Sequence, residues 1–173
     1  MRYRRIDNAI EVIRNQINTT EHKNPEIESY LVSYALTTIY AEYESRLNIL
    51  IARRCALTDD VHLKNFAQTL AKCGTEVYQT ENRSTGRIKL SDLADSLKRF
   101  GQDYRDKFML QIENKPAHTA WDKIVNNRQM IAHQQGTNLT FQELEEAYYE
   151  SLKVLDAFGD ALNLPREHLE DLI

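Results

Sequence analysis

Between Val125 and Thr140 the chain reads VNNRQMIAHQQGTNLT, and within it Arg128 and His133 are the residue types that handle phosphates and protons. A guanidinium presents a planar fork of N–H groups that matches paired phosphate oxygens. An imidazole gives or takes a proton near neutral pH. On a helical wheel of about 100° per residue, Trp121, Ile124, Val125, Ile131 and Ala132 fall within roughly 60° of Arg128, which places the cation mid-way across an apolar stripe. His133 falls about 140° from it, on a polar flank shared with Asp122, Asn126 and Gln129. A cation and an imidazole thus border one groove from two sides. An unpaired guanidinium inside a bundle is costly, so Arg128 must meet a carboxylate or carbonyls, or open onto a cleft or a subunit boundary. The plain alternative is that Arg128 snorkels or pairs with a buried glutamate, while His133 is a helix-end residue drawn by the dipole.

Helices must position these groups. Ile6, Ile10, Ile13 and Ile17 recur at helical spacing and predict a first helix over 5–17. Pro25 fits the first turn of a long second helix over 26–56, where Leu31, Ala35, Ile39, Tyr43, Leu47 and Leu50 trace an apolar stripe. Glu44 lies at the edge of that stripe, beside Tyr40, Leu47 and Ile51. There it either positions Arg128 or tunes His133, or is simply a rim carboxylate, and Glu42 is expected to pair with Arg46. A cap at Asp59 or Asp60 opens a third helix that Gly74 stops. The stretch QTENRSTGRIK reads as an exposed excursion, after which Ser91 is expected to cap a short helix closed by Gly101. DYRDKFMLQIE continues in helical phase, and Pro116 opens the helix carrying Arg128, which Gly136 stops. Thr140 and Glu143 form a capping box for the last long helix, with Leu144, Ala147, Tyr148, Leu152, Leu155 and Phe158 on its buried face. Pro165 begins a short tail helix. The expected fold is all-α: an up-and-down bundle of four to five major helices with a short C-terminal helix, residues 1–173 forming one domain.

Composition excludes several classes. A net charge of −4 argues against a protein that coats nucleic acid through a broad basic surface, so any such contact is local. Local basic groups are Arg2, Arg4 and Arg5, the pair Arg53 and Arg54, and the loop with Arg83, Arg87 and Lys89. No apolar run approaches the ~18 residues needed to cross a bilayer, and the N-terminus lacks a secretory signal, so the expected location is the cytoplasm without membrane contact. Cys55 and Cys73 form no CxxC pair and have no histidine at ligand spacing, so reduced thiols are expected and no metal or cofactor is called for. His22, His62, His118 and His168 have nothing organised around them, and there is no GxSxG elbow, phosphate-cradling glycine loop or HExxH motif.

The arginine, four intervening residues and histidine in NNRQMIAHQQG, followed by a capped helix beginning LTFQELEEAYYE, resemble the motif of HEPN-domain ribonucleases. The likeness is to the bacterial RiboL-PSP or MAE-type group, and YAEYESRL resembles a segment of that group in which an aromatic residue precedes a glutamate, here Tyr43 and Glu44. The residue after the arginine departs from the pattern: Gln129 stands where the family has Asn, Asp or His, and Asn127 or Asn126 is the candidate to supply the amide instead. The resemblance implies a metal-independent endoribonuclease acting as a homodimer, a toxin or antiphage effector with an antitoxin or other protein regulator. In that chemistry a 2′-hydroxyl attacks the adjacent phosphorus, with Arg128, His133, Asn127, Gln129 and Glu44 as the site. The rival implication is an inactive HEPN-like module that binds a nucleotide or a partner protein.

Overall fold

The computed structural model describes residues 4–19, 25–65, 88–133 and 136–164. Among them there is helix and no strand: α1 (Arg4–Thr19), α2 (Pro25–Ala56), a helical stretch over 61–65, α3 (Leu90–Leu97), α4 (Gln102–Ile112), α5 (Pro116–Ala132) and α6 (Phe141–Ala161). Five of the named helices are long and α3 is short, as the apolar periodicity predicts. Cys73, the basic loop at 83–87 and the tail helix after Pro165 lie outside the described residues.

α2 is the spine. Its 32 residues span roughly 48 Å, and it packs against α1, α5 and α6. That many neighbours explains why its apolar residues spread around the helix instead of forming one narrow stripe. Pro25 occupies the first turn with Glu26 and Glu28, while Arg53 and Arg54 close the last turn, each sign matching the local end of the helix dipole. The Glu28 carboxylate accepts from the Phe141 N–H at the start of α6, and the Tyr43 hydroxyl meets Ser151 Oγ at 2.6 Å further along, so α2 and α6 run in the same sense. α1 runs opposite to α6, tied by Tyr148 to Asp7 and by the Arg14–Glu145 ion pair. α5 also opposes α6 and forms the most extensive interface in the bundle with it.

Local signals place most boundaries. The Thr140 hydroxyl accepts from the Glu143 N–H while the Glu143 carboxylate accepts from the Thr140 N–H, a complete capping box. Asp60 caps the 61–65 stretch by accepting from His62 and Leu63. Gly136 has φ of 72°, in the left-handed region expected of it. Ser91 is not a cap: the helix begins one residue earlier at Leu90, with Lys89 at the boundary and its carbonyl accepting from Asp92 and Leu93. Burial of Ile88 and Leu90 in the core fixes that start instead of a side-chain cap. Gly101, predicted to close this helix, serves as the N-terminal boundary of α4 with φ of 141°. No helix among the described residues is long and apolar enough to cross a membrane.

Trp121 sits at the centre of the shared core. It is fully buried and stacked on Tyr43 of α2 at 4.8 Å between ring centroids and 8° between planes. Its indole N–H donates to the Ile88 carbonyl at 2.8 Å. One residue therefore joins α5, α2 and the irregular segment leading into α3.

Candidate functional site

α5 carries the Arg128 face and also defines its limit. Trp121, Ile124 and Val125 are buried, Arg128 and Ile131 are half-buried, and Ala132 is exposed. The apolar stripe therefore leaves the core at Arg128, which stands at its margin. The guanidinium does not disappear into the bundle, and among the described residues it closes no ion pair. Its Cζ lies over the ring of Tyr40 on α2, 4.8 Å from the centroid.

Glu44 stands one turn beyond Tyr40 on α2 and is half-buried. Burial pushes its carboxyl above the ordinary value of 4.5, and the nearby Arg128 charge pulls it back only in part. A raised value means that the native state binds the Glu44 proton more readily than the unfolded chain does. Stability from this group is thus fully present below about the ordinary value and is lost as pH rises through the raised one. Glu44→Gln is accordingly expected to melt higher than the wild type at pH of about 7.5, by on the order of one or two degrees, since the half-exposed carboxyl is partly screened. The difference should vanish by pH of about 4. A pH series of melting curves checks both the sign and the window.

His133 is the residue at the C-terminal boundary of α5, exposed, with its backbone N–H donating to the Gln129 and Met130 carbonyls. It follows Arg128 by about 7.5 Å of helix rise. Asn127 turns away from Arg128 toward the following loop: its Nδ2 donates to the Lys123 carbonyl at 2.9 Å and its Oδ1 accepts from Thr137 at 3.2 Å. Thr137 in turn accepts from the Leu139 N–H. Asn127 therefore ties the turn after His133 back onto α5. Asn126 is exposed, and Gln129 has its Oε1 buried without a hydrogen-bond partner. The structure thus gathers Arg128, Glu44 and Tyr40 at one place, sets His133 at the adjoining helix end, and gives Asn127 a tethering contact.

Periodicity alone assigns Tyr40 no part in the site. The wheel places it beside Glu44, yet its contact with Arg128 crosses from one helix to another, which periodicity within one helix does not report. Glu42 pairs with Arg46 at 2.6 Å as expected. Tyr148 is buried in the core and Tyr149 tilts against it, half-exposed.

The other features are poorer places for phosphate. An open groove of about 550 Å³ between α5 and α6 is rimmed by Glu143, Glu146 and Glu150 against Lys123, the wrong charge balance for an anion. Arg53 and Arg54 lie about 15 Å further along α2 from Arg128's neighbour Glu44, where Arg54 donates to the Tyr104 hydroxyl at 2.6 Å. Cys55 beside them is buried, and burial raises its thiol.

Comparison with models of known families matches residues 1–164 to the family described as RiboL-PSP-HEPN. No curated protein and no solved structure matches the chain.

Proposed function

The chain belongs to the RiboL-PSP-HEPN family, and on that premise we propose that it is a metal-independent endoribonuclease with Arg128 and His133 as its catalytic pair. The observation that carries this reading is the state of Arg128: a half-buried residue whose guanidinium is held on an aromatic ring and engaged in no ion pair among the described residues, one helical turn or so before an exposed imidazole. A cation so placed is available to phosphate oxygens.

In the proposed reaction the ribose 2′-oxygen bonds to the adjacent phosphorus as its proton leaves to a base. The bond from phosphorus to the 5′-oxygen breaks, and that oxygen takes up a proton. The products are a 2′,3′-cyclic phosphate and a 5′-hydroxyl. Arg128 stabilises the negative charge that gathers on the non-bridging oxygens. His133 transfers a proton at one of the two oxygens. The second proton transfer and the exposed continuation of the apolar stripe at Ala132 both fit a homodimer in which two copies of the motif face one another. Within this reading Glu44 holds the orientation of Arg128 and Asn127 holds the turn after His133. An effector role as a toxin or in antiphage defence, restrained by an antitoxin or another protein, belongs to the same proposal, and the family resemblance is its support.

Incubation of the purified protein with single-stranded RNA and excess EDTA tests the reading. The expected result is cleavage that chelator does not suppress, with products that resist 5′-end dephosphorylation and carry cyclic phosphate. Intact RNA under these conditions, with or without divalent metal, would favour the rival class, a non-cleaving module. The buried, unpartnered Gln129 amide oxygen, at the position where the family pattern departs, is the observation on that side.

A further inference from the structure

We infer that Tyr40 is the positioning residue for the Arg128 guanidinium, its ring carrying the cation and its hydroxyl locked by the backbone of Ile88. The inference rests on the ribonuclease reading for its functional meaning, but its physical content is a contact between two side chains on two helices.

Tyr40 is only 2% exposed, so its ring is fixed by packing on the α2 side of the interface with α5. Arg128 Cζ stands 4.8 Å from the ring centroid, inside the range in which the negative face of an aromatic ring attracts a cation. A long, flexible side chain at the margin of the core would otherwise sample several rotamers, and a phosphate-binding fork is useful only when it is aimed. The ring supplies the aim from below and leaves the N–H edges of the guanidinium for hydrogen bonds. Glu44, one turn along α2, acts on the same cation by its charge.

The ring is itself held. The Ile88 N–H donates to the Tyr40 hydroxyl at 3.2 Å, and the Ile88 carbonyl accepts from the Trp121 indole at 2.8 Å. Ile88 lies outside any helix, 2% exposed, so both of its backbone polar groups need partners. It takes one from α2 and one from α5, the two helices that carry Tyr40 and Arg128. The peptide of Ile88 therefore ties the platform to the helix bearing the cation, and Trp121, stacked on Tyr43, completes the tie.

The test compares Tyr40→Leu, which removes the ring, with Tyr40→Phe, which keeps the ring and removes the hydroxyl. In steady-state cleavage of a short RNA, Tyr40→Leu is expected to lower kcat by about 10-fold or more with KM changed less than about threefold, and Tyr40→Phe to stay within about threefold of the wild type in kcat. Equal losses in the two variants, or a loss confined to KM, overturn the inference. A second arm needs no activity: melting temperatures of Tyr40→Leu, Arg128→Ala and the double variant. Non-additive shifts support the ring–cation contact and additive shifts overturn it. If the wild-type protein cuts no RNA, the ribonuclease reading fails while this second arm still decides the positioning contact.

Discussion

His133→Ala is expected to lower RNA cleavage by about 10²-fold or more while leaving thermal stability nearly unchanged. The two halves of that expectation have separate physical grounds. The imidazole is exposed at the end of α5, and what His133 gives the fold is its backbone N–H, donated to the Gln129 and Met130 carbonyls at 3.1 and 3.2 Å. Alanine keeps that N–H, and a surface substitution without buried contacts shifts stability by about 0.5 kcal/mol or less. Loss of a proton-transfer group, in contrast, typically costs two to four orders of magnitude in rate. His118, on the same helix and 3.4 Å from Asp122, provides the control, because it stands more than two turns earlier. His118→Ala should cleave at the wild-type rate. Equal cleavage by wild type and His133→Ala, at equal melting temperature, would remove His133 from the chemistry.

The parts of this arrangement that sequence discloses are those written in local spacing. Thr140 and Glu143 are three residues apart, and their mutual hydrogen bonds depend on nothing beyond that turn, so the start of α6 is legible. The same holds for Asp60, for Gly136 and for the i, i+4 pair of Glu42 with Arg46. Among the described residues, the order of the long helices follows because each has its own apolar period. Arg128 in an apolar stripe is likewise visible on the wheel. What surrounds Arg128 is not, since Tyr40 and Glu44 reach it from a helix roughly 85 residues earlier, and their approach depends on how α2 and α5 cross. Ser91 shows the opposite error, in which a residue of cap type loses to the tertiary burial of Ile88 and Leu90 that starts the helix one residue sooner. Asn127 is a milder case. Its amide is a candidate for the site by spacing, but Thr137 in the next loop engages it, a partner ten residues away that only the chain reversal after His133 brings close.

Trp121→Ala is expected to destabilise the protein by about 3–5 kcal/mol, a large fraction of the roughly 5–15 kcal/mol typical of a domain. Three losses combine at that position. The side chain is fully buried, so its removal leaves a cavity at the junction of α2 and α5. The stack on Tyr43 goes with it, worth about 0.5–1.5 kcal/mol beyond the buried area. The Ile88 carbonyl also loses its indole donor, and an orphaned buried acceptor costs about 1–3 kcal/mol. These terms share one geometry and do not simply add. Trp121→Phe separates them: it retains a ring for Tyr43 and much of the volume but not the N–H, and should cost about 1–2 kcal/mol. The chain contains a single tryptophan, so tryptophan emission reports this junction in the wild type and is lost in both variants. Urea unfolding followed by circular dichroism is therefore the common measure. A loss below about 1 kcal/mol for Trp121→Ala would contradict the packing described for α2, α5 and Ile88. The Tyr40 ring is held by core packing as well as by the Ile88 peptide, so cleavage by folded Trp121→Phe should stay within about threefold of the wild type, as for Tyr40→Phe.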